Sequence, residues 1–143
     1  MRKYLAAVAL ALLCAQASSQ TNSGPTYEET VAWLQGAARV PFMELSRCRF
    51  SHKKFSDGPQ EAHFGSLLTT SQVEERTMFA ITVRVNCAVN ACVTQASYDG
   101  KDRSNESSFL FYANHELAGE RVMNALRRLA ILCGAKEVRT NTF

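Results

Sequence analysis

The sequence predicts an exported α+β domain, an antiparallel sheet of about five strands with an N-terminal helix and a long C-terminal helix packed on it. Three observations carry this expectation. The stretch Asn114 to Gly134 sets Ala118, Val122, Ala125, Leu126, Leu129, Leu132 and Cys133 on one helical face, the spacing of a helix with a broad apolar stripe. Between residues 42 and 112, apolar side chains recur with the period of two that strands require. The chain also opens with Arg2 and Lys3, an apolar run from Leu5 to Cys14, and then Ala15-Gln16-Ala17, the layout of a secretory signal peptide. A small barrel capped by the closing helix is the alternative arrangement of the same elements.

The apolar run is too short to span a bilayer, so no stable membrane span is expected. Leu13 before Cys14 does not favour lipoprotein processing, and a better cleavage site follows near Ala17. Residues 1–17 are therefore read as a signal peptide, 18–25 (SSQTNSGP) as a mobile leader, and 26–143 as one domain. The formal net charge is +3, and cleavage removes two of the cations. A near-neutral chain gives no overall electrostatic case for nucleic acid. Of five cysteines, Cys14 leaves with the signal. The remaining even count in an oxidising compartment, periplasmic or extracellular, argues for two disulfides. Three pairings of Cys48, Cys87, Cys92 and Cys133 are possible, and Cys87–Cys92 with Cys48–Cys133 is favoured for the reasons below.

The first helix begins at Thr26, where Thr26-Tyr27-Glu28-Glu29 forms a capping box. Tyr27, Val31, Leu34 and Ala38 make its stripe, Gly36 weakens it, and Pro41 stops it. Trp33 lies off the stripe beside Ala37, as a second contact face or an anchor for something else. Phe42 to Phe50 alternates and reads as one strand, with Cys48 facing inward. Ser56-Asp57-Gly58-Pro59 is a turn signal, His63 to Thr70 a second strand, and Glu74-Glu75-Arg76 a surface connection. Thr77 to Cys87 is the clearest strand, with Phe79, Ile81, Val83, Val85 and Cys87 on one face. Ala88 to Ala91 closes a loop and Cys92 to Tyr98 returns, so Cys87 and Cys92 stand opposite one another in a hairpin. Asp99 to Asn105 is a polar loop, and Phe109 to Tyr112 the last strand. Asn114 then caps the closing helix, and Gly134 ends it. Cys48 and Cys133, left over, would tie the first strand to the last helical turn. In the chain-entropy model, closing so long a loop is worth on the order of 4 kcal/mol.

No constellation of catalytic residues stands out. His115-Glu116-Leu117-Ala118-Gly119 opens like a zinc-protease motif, but Gly119 stands where the second histidine is needed. First-turn charge at a helix start is the simpler reading. His52, His63 and His115 show no metal-ligand spacing. Cys87-x4-Cys92 lacks the two-residue spacing of redox pairs, and Phe64-Gly65-Ser66-Leu67-Leu68 lacks the second glycine of a nucleophile elbow. The expectation is accordingly no enzyme, no cofactor and no metal.

Two surfaces remain. Arg47, Arg49, His52, Lys53 and Lys54 could hold a phosphate, an acidic glycan or an acidic protein patch, although charges on a strand and its turn also guard an edge. Arg121, Asn124, Arg127 and Arg128 lie on the outer side of the closing helix, where a solvated face is the commoner explanation. Asn105-Glu106-Ser107 is a glycosylation sequon.

The capped helix through Glu28 to Leu34, the early inward cysteine and the Arg121 to Gly134 helix ending Leu-Cys-Gly resemble a loose group of small exported bacterial proteins of unknown function. Cys87, Cys92 and Ala135 depart from its pattern. The resemblance implies a periplasmic or secreted domain of pleckstrin-like or related antiparallel fold, and carries no activity. The functional expectation is a non-enzymatic binding domain whose partner is another protein or an envelope glycan, with Trp33 or the Arg47–Lys54 stretch as its contact. Alternatives are an inhibitor or immunity protein against a toxin or wall hydrolase, and an unrecognised hydrolase.

Overall fold

A computed structural model describes residues 24–54 and 57–137; the stretch read as a signal peptide and most of that read as a leader lie outside the described residues. The domain is α+β, with antiparallel sheets of five and three strands between an N-terminal and a C-terminal helix. Helix α1 (Tyr27–Ala37) starts as the sequence dictates. The Thr26 hydroxyl accepts the Glu29 N–H at 3.2 Å, and the Glu29 carboxylate accepts the Thr26 N–H at 2.8 Å. Tyr27, Thr30, Val31, Leu34 and Ala37 are its buried side.

The expected strand from Phe42 to Phe50 is instead a hairpin, β1 (Phe42–Ser46) and β2 (Arg49–Lys53), turning at Arg47-Cys48. Cys48 takes a left-handed φ of 66°, which costs a non-glycine residue free energy. Three contacts hold it there. Its N–H donates to the Tyr27 hydroxyl at 2.8 Å, its carbonyl accepts the Phe64 N–H at 2.8 Å, and its sulfur is bonded to Cys133, with Cα atoms 5.5 Å apart.

The strand expected from His63 to Thr70 is divided: His63 ends β3 (Pro59–His63), and Leu67 to Thr70 open the strand after it; Pro59 is the first residue of β3, where no ladder N–H is required. A 3-10 turn at Phe64–Ser66 leads into β4 (Leu67–Arg76). Glu74-Glu75-Arg76 therefore ends a strand rather than forming a connection. β5 (Ala80–Cys87) pairs with β4 and with β8 (Ser108–Asn114), and Ile81, Val83 and Val85 are buried. Phe79 falls in the turn before β5 and is exposed.

Cys87 and Cys92 are bonded, with Cα atoms 5.7 Å apart, but not across a hairpin. β5 belongs to the three-stranded sheet, order β4-β5-β8. The strand after it, β6 (Val93–Ala96), lies between β3 and β7 (Arg103–Glu106) in the five-stranded sheet, order β1-β2-β3-β6-β7. The bridge thus closes the corner where the chain changes sheets. The expected polar loop at Asp99–Asn105 is shorter, because Ser97 to Asp102 turn the chain and Arg103 onward pairs with β6. Asn105 stands exposed on that edge strand.

Helix α2 (Gly119–Leu132) begins five residues after Asn114. The Asn114 side chain accepts the Glu116 N–H and its carbonyl accepts the Leu117 N–H, so Asn114 caps a separate turn. Arg76 fastens that turn by donating to the His115 and Leu117 carbonyls at 2.8 and 3.2 Å. The helix ends as predicted. Gly134 has φ 95°, its N–H donates to Ile131 O, and the Ala135 N–H donates to Ala130 O, which is a Schellman termination. Val122, Leu126, Leu129 and Ala130 are fully buried against β4 and β5.

Two polar side chains join the sheets. His52 and Gln60 face each other across β2 and β3, and both are buried. Gln60 donates to Leu110 O at 3.0 Å and accepts the Leu110 N–H at 2.9 Å. His52 Nε2 accepts the Tyr112 N–H at 3.0 Å, while Nδ1 meets Pro41 O at 3.1 Å. They satisfy the edge of β8 that no strand covers, where an unpaired buried amide would be costly. A phenylalanine cluster fills the space around this seam. Phe42 stacks on Phe50 at 4.7 Å and meets Phe111 edge-on at 5.3 Å, and Phe64 meets Phe109 edge-on at 5.3 Å.

Candidate functional site

The two helices lie side by side and leave a groove of about 560 Å³ between them. From α2, Arg121, Asn124, Ala125 and Arg128 line it. They stand at i, i+3, i+4 and i+7, and so share the face beside the buried stripe. From α1 come Glu29, Thr30 and Trp33, and Pro25 closes one end. Trp33 is half-buried, and the Arg121 guanidinium sits 5.1 Å from its ring centre, within cation–π range. Arg128 Nε donates to Pro25 O at 3.0 Å.

Several polar groups of the groove are already engaged. Glu29 is committed to its cap, and the Thr30 hydroxyl donates to Thr26 O at 2.7 Å. What remains for a ligand is an apolar floor of Trp33 and Ala125, the Asn124 amide, and the Arg121 guanidinium group. Such a lining suits a carboxylate carried beside an apolar group.

The Arg47–Lys54 stretch looks different once folded. Arg47 lies over the Tyr27 ring at 4.1 Å and 3.7 Å from a Glu28 carboxylate oxygen. Arg49 pairs with Glu61 at 3.5 Å, and Lys53 faces the Tyr98 ring at 5.4 Å. His52 is only 1% exposed and belongs to the seam between the sheets, so it adds nothing to a basic surface. It lies in β2, where Phe50, Ser51 and His52 are all buried in succession, so its charged sequence neighbours do not bring it to the surface. Burial lowers its pKa from 6.5 to about 4, against a smaller opposing effect of Pro41 O. Neutral imidazole fits the geometry, with Nδ1 donating and Nε2 accepting.

His63 and His115 lie elsewhere. His63 Nδ1 accepts the Gly65 N–H at 3.1 Å, and His115 sits in the exposed turn before α2, outside the helix that a zinc motif requires. Among the described residues, no group of three His, Cys, Asp or Glu side chains is placed to hold a metal. No helix among them is long and apolar enough to cross a membrane.

Sequence reasoning named Trp33 and the Arg121, Asn124, Arg127 and Arg128 face separately. Folding joins Trp33 to three of those four, whereas Arg127 pairs with Glu137 at 2.9 Å. The helical i, i+3, i+4, i+7 series beside an off-stripe tryptophan was the available signal. Compared with protein-family models, curated proteins and solved structures, the chain matches none.

Proposed function

We propose that this is an exported, non-enzymatic binding domain that engages a protein partner through the α1–α2 groove. The partner segment presents a carboxylate next to an apolar side chain. The observation that carries this reading is the Trp33–Arg121 stack in a groove whose own acid, Glu29, is engaged in helix capping. Two disulfides fit an oxidising compartment, in keeping with secretion or a periplasmic location after cleavage near Ala17. A glycan would need several hydroxyl-directed donors and acceptors, and here Asn124 is the one side-chain amide in the lining. The Arg47–Lys54 stretch is the weaker surface, because Arg47 and Arg49 already face carboxylates of their own chain.

Immobilised oxidised protein, challenged with envelope protein and envelope glycan fractions, tests the proposal. Capture of a protein by the wild type, lost in Trp33→Ala and Arg121→Glu but kept in Arg49→Ala with Lys53→Ala, is the expected result. Capture insensitive to both groove variants would refute the assignment of this surface.

A further inference from the structure

The groove has a complement on the same chain. The turn joining β4 to β5 displays Met78 and Phe79, 73% and 64% exposed. Thr77 fixes that turn. Its N–H donates to Ala80 O at 3.0 Å, and its hydroxyl accepts the N–H groups of Phe79 and Ala80, each at 3.1 Å. Hairpin tips ordinarily carry Gly, Asn or Asp, which suit the turn and stay hydrated. Two large apolar side chains held in water at a rigid tip instead mark a contact surface.

The charges beside the tip sort themselves. Glu74 is held by Arg84 at 2.7 Å, and Arg76 is turned onto the carbonyls of His115 and Leu117. Glu75 is exposed and, among the described residues, makes no ion pair. Arg121 likewise has no carboxylate partner among them; it rests on Trp33. An apolar tip beside a free carboxylate therefore matches an aromatic floor beside a free guanidinium.

The two features also share one end of the molecule. Gly119, two residues before Arg121, backs onto the hairpin. A Cβ at Gly119 would lie 3.2 Å from Val73 Cγ2 and 3.9 Å from Ile81 Cγ2, and Ile81 pairs with Arg76 at the foot of the turn.

We propose that two copies of this chain pair about a two-fold axis, each seating its Met78–Phe79 tip on Trp33 of the other, with Glu75 opposite Arg121. Because tip and groove sit at one end, a single rotation satisfies both contacts and closes the assembly. This rests on the groove being a binding surface and names its occupant as a second copy.

Sedimentation velocity on the oxidised mature chain over a micromolar dilution series tests the pairing. The wild type should dimerise, and Met78→Ser with Phe79→Ser should weaken the dimer at least tenfold, with no loss of melting temperature at dilutions where both proteins are monomeric. Arg121→Glu and Glu75→Arg should each weaken it, and the two together in one chain should restore it, since the swapped charges again face each other. A wild type that stays monomeric, a dimer indifferent to the tip variant, or a swap that rescues nothing overturns the pairing. A monomeric wild type whose Trp33→Ala variant still loses an envelope partner would overturn the pairing while the groove reading stands. A dimer lost at the tip but untouched by Trp33→Ala and Arg121→Glu would overturn the groove's part in it.

Discussion

The chain carries two clusters of arginine, and folding treats them in opposite ways. The Arg47–Lys54 stretch is basic in sequence, yet it lies on a hairpin whose register sets Arg49 beside Glu61 on the next strand and brings Arg47 against Glu28 and Tyr27. Its histidine goes inside. Arg121, Asn124 and Arg128 lie on one face of a helix, and the neighbouring helix meets them with an aromatic ring and an acid already used as a cap. Proximity along a strand scatters charge over two faces and onto partners across the ladder. Spacing of three and four on a helix gathers it. The lesson is that a basic run is a binding candidate only where a charge in it, as at Arg121, meets no carboxylate among the described residues.

The bond that joins these two regions offers the largest perturbation. Cys48 sits between Arg47 and Arg49, and Cys133 ends α2, so their bridge closes a loop of 85 residues in sequence separation. Cys48→Ser with Cys133→Ser should cost on the order of 4 kcal/mol of stability by denaturant unfolding. The emission of Trp33, the single tryptophan, should also shift in the still-folded protein as α2 loosens against α1. Unchanged Trp33 emission would show that the groove is independent of the hairpin.

Acid comes next in size and acts within the basic stretch itself. The pKa of His52 is lowered on folding, so the unfolded chain takes up the proton first. The stability His52 contributes is intact above pH 6.5 and is lost as pH falls toward about 4. With a shift from 6.5 to about 4 the loss is about 3 kcal/mol, and the protonated Nε2 would then face the Tyr112 N–H. Chemical denaturation at pH 7 and pH 4 should show this difference in the wild type and a smaller one in His52→Gln, where the carboxylates still titrate. Equal differences would mean that His52 is not the group responsible.

Arg49→Ala should have the smallest effect, below about 1 kcal/mol, because the ion pair it loses is partly exposed and screened. Partner capture should be unaltered. A tenfold loss of capture would reverse the ranking of the two clusters.

Much of the fold was legible because it is written in local chemistry. Thr26 with Glu29, and Gly134, mark helix ends by rules that need no tertiary context. The strand Ala80–Cys87 announces itself by alternation, and Ser108–Asn114 by the apolar run Phe109 to Tyr112. The turn at Arg47-Cys48 was hidden because it contains neither glycine nor asparagine. Cys48 is held at positive φ by Tyr27, Phe64 and Cys133, all distant in sequence. The Cys87–Cys92 pairing was foreseen from a hairpin that does not exist, since nothing local says that β6 leaves β5 to pair with β3. Of the site, Trp33 and the α2 arginines were visible singly. That they face one another depends on how the helices are laid side by side, and no spacing within either helix encodes it.

The most direct test of the account is the emission spectrum of Trp33 during titration with the protein segment that the wild type captures. If the α1–α2 groove is the binding surface, saturation should shift and quench the emission, and Arg121→Glu should abolish both changes. Binding measured independently by calorimetry while Trp33 emission stays unaltered would contradict it.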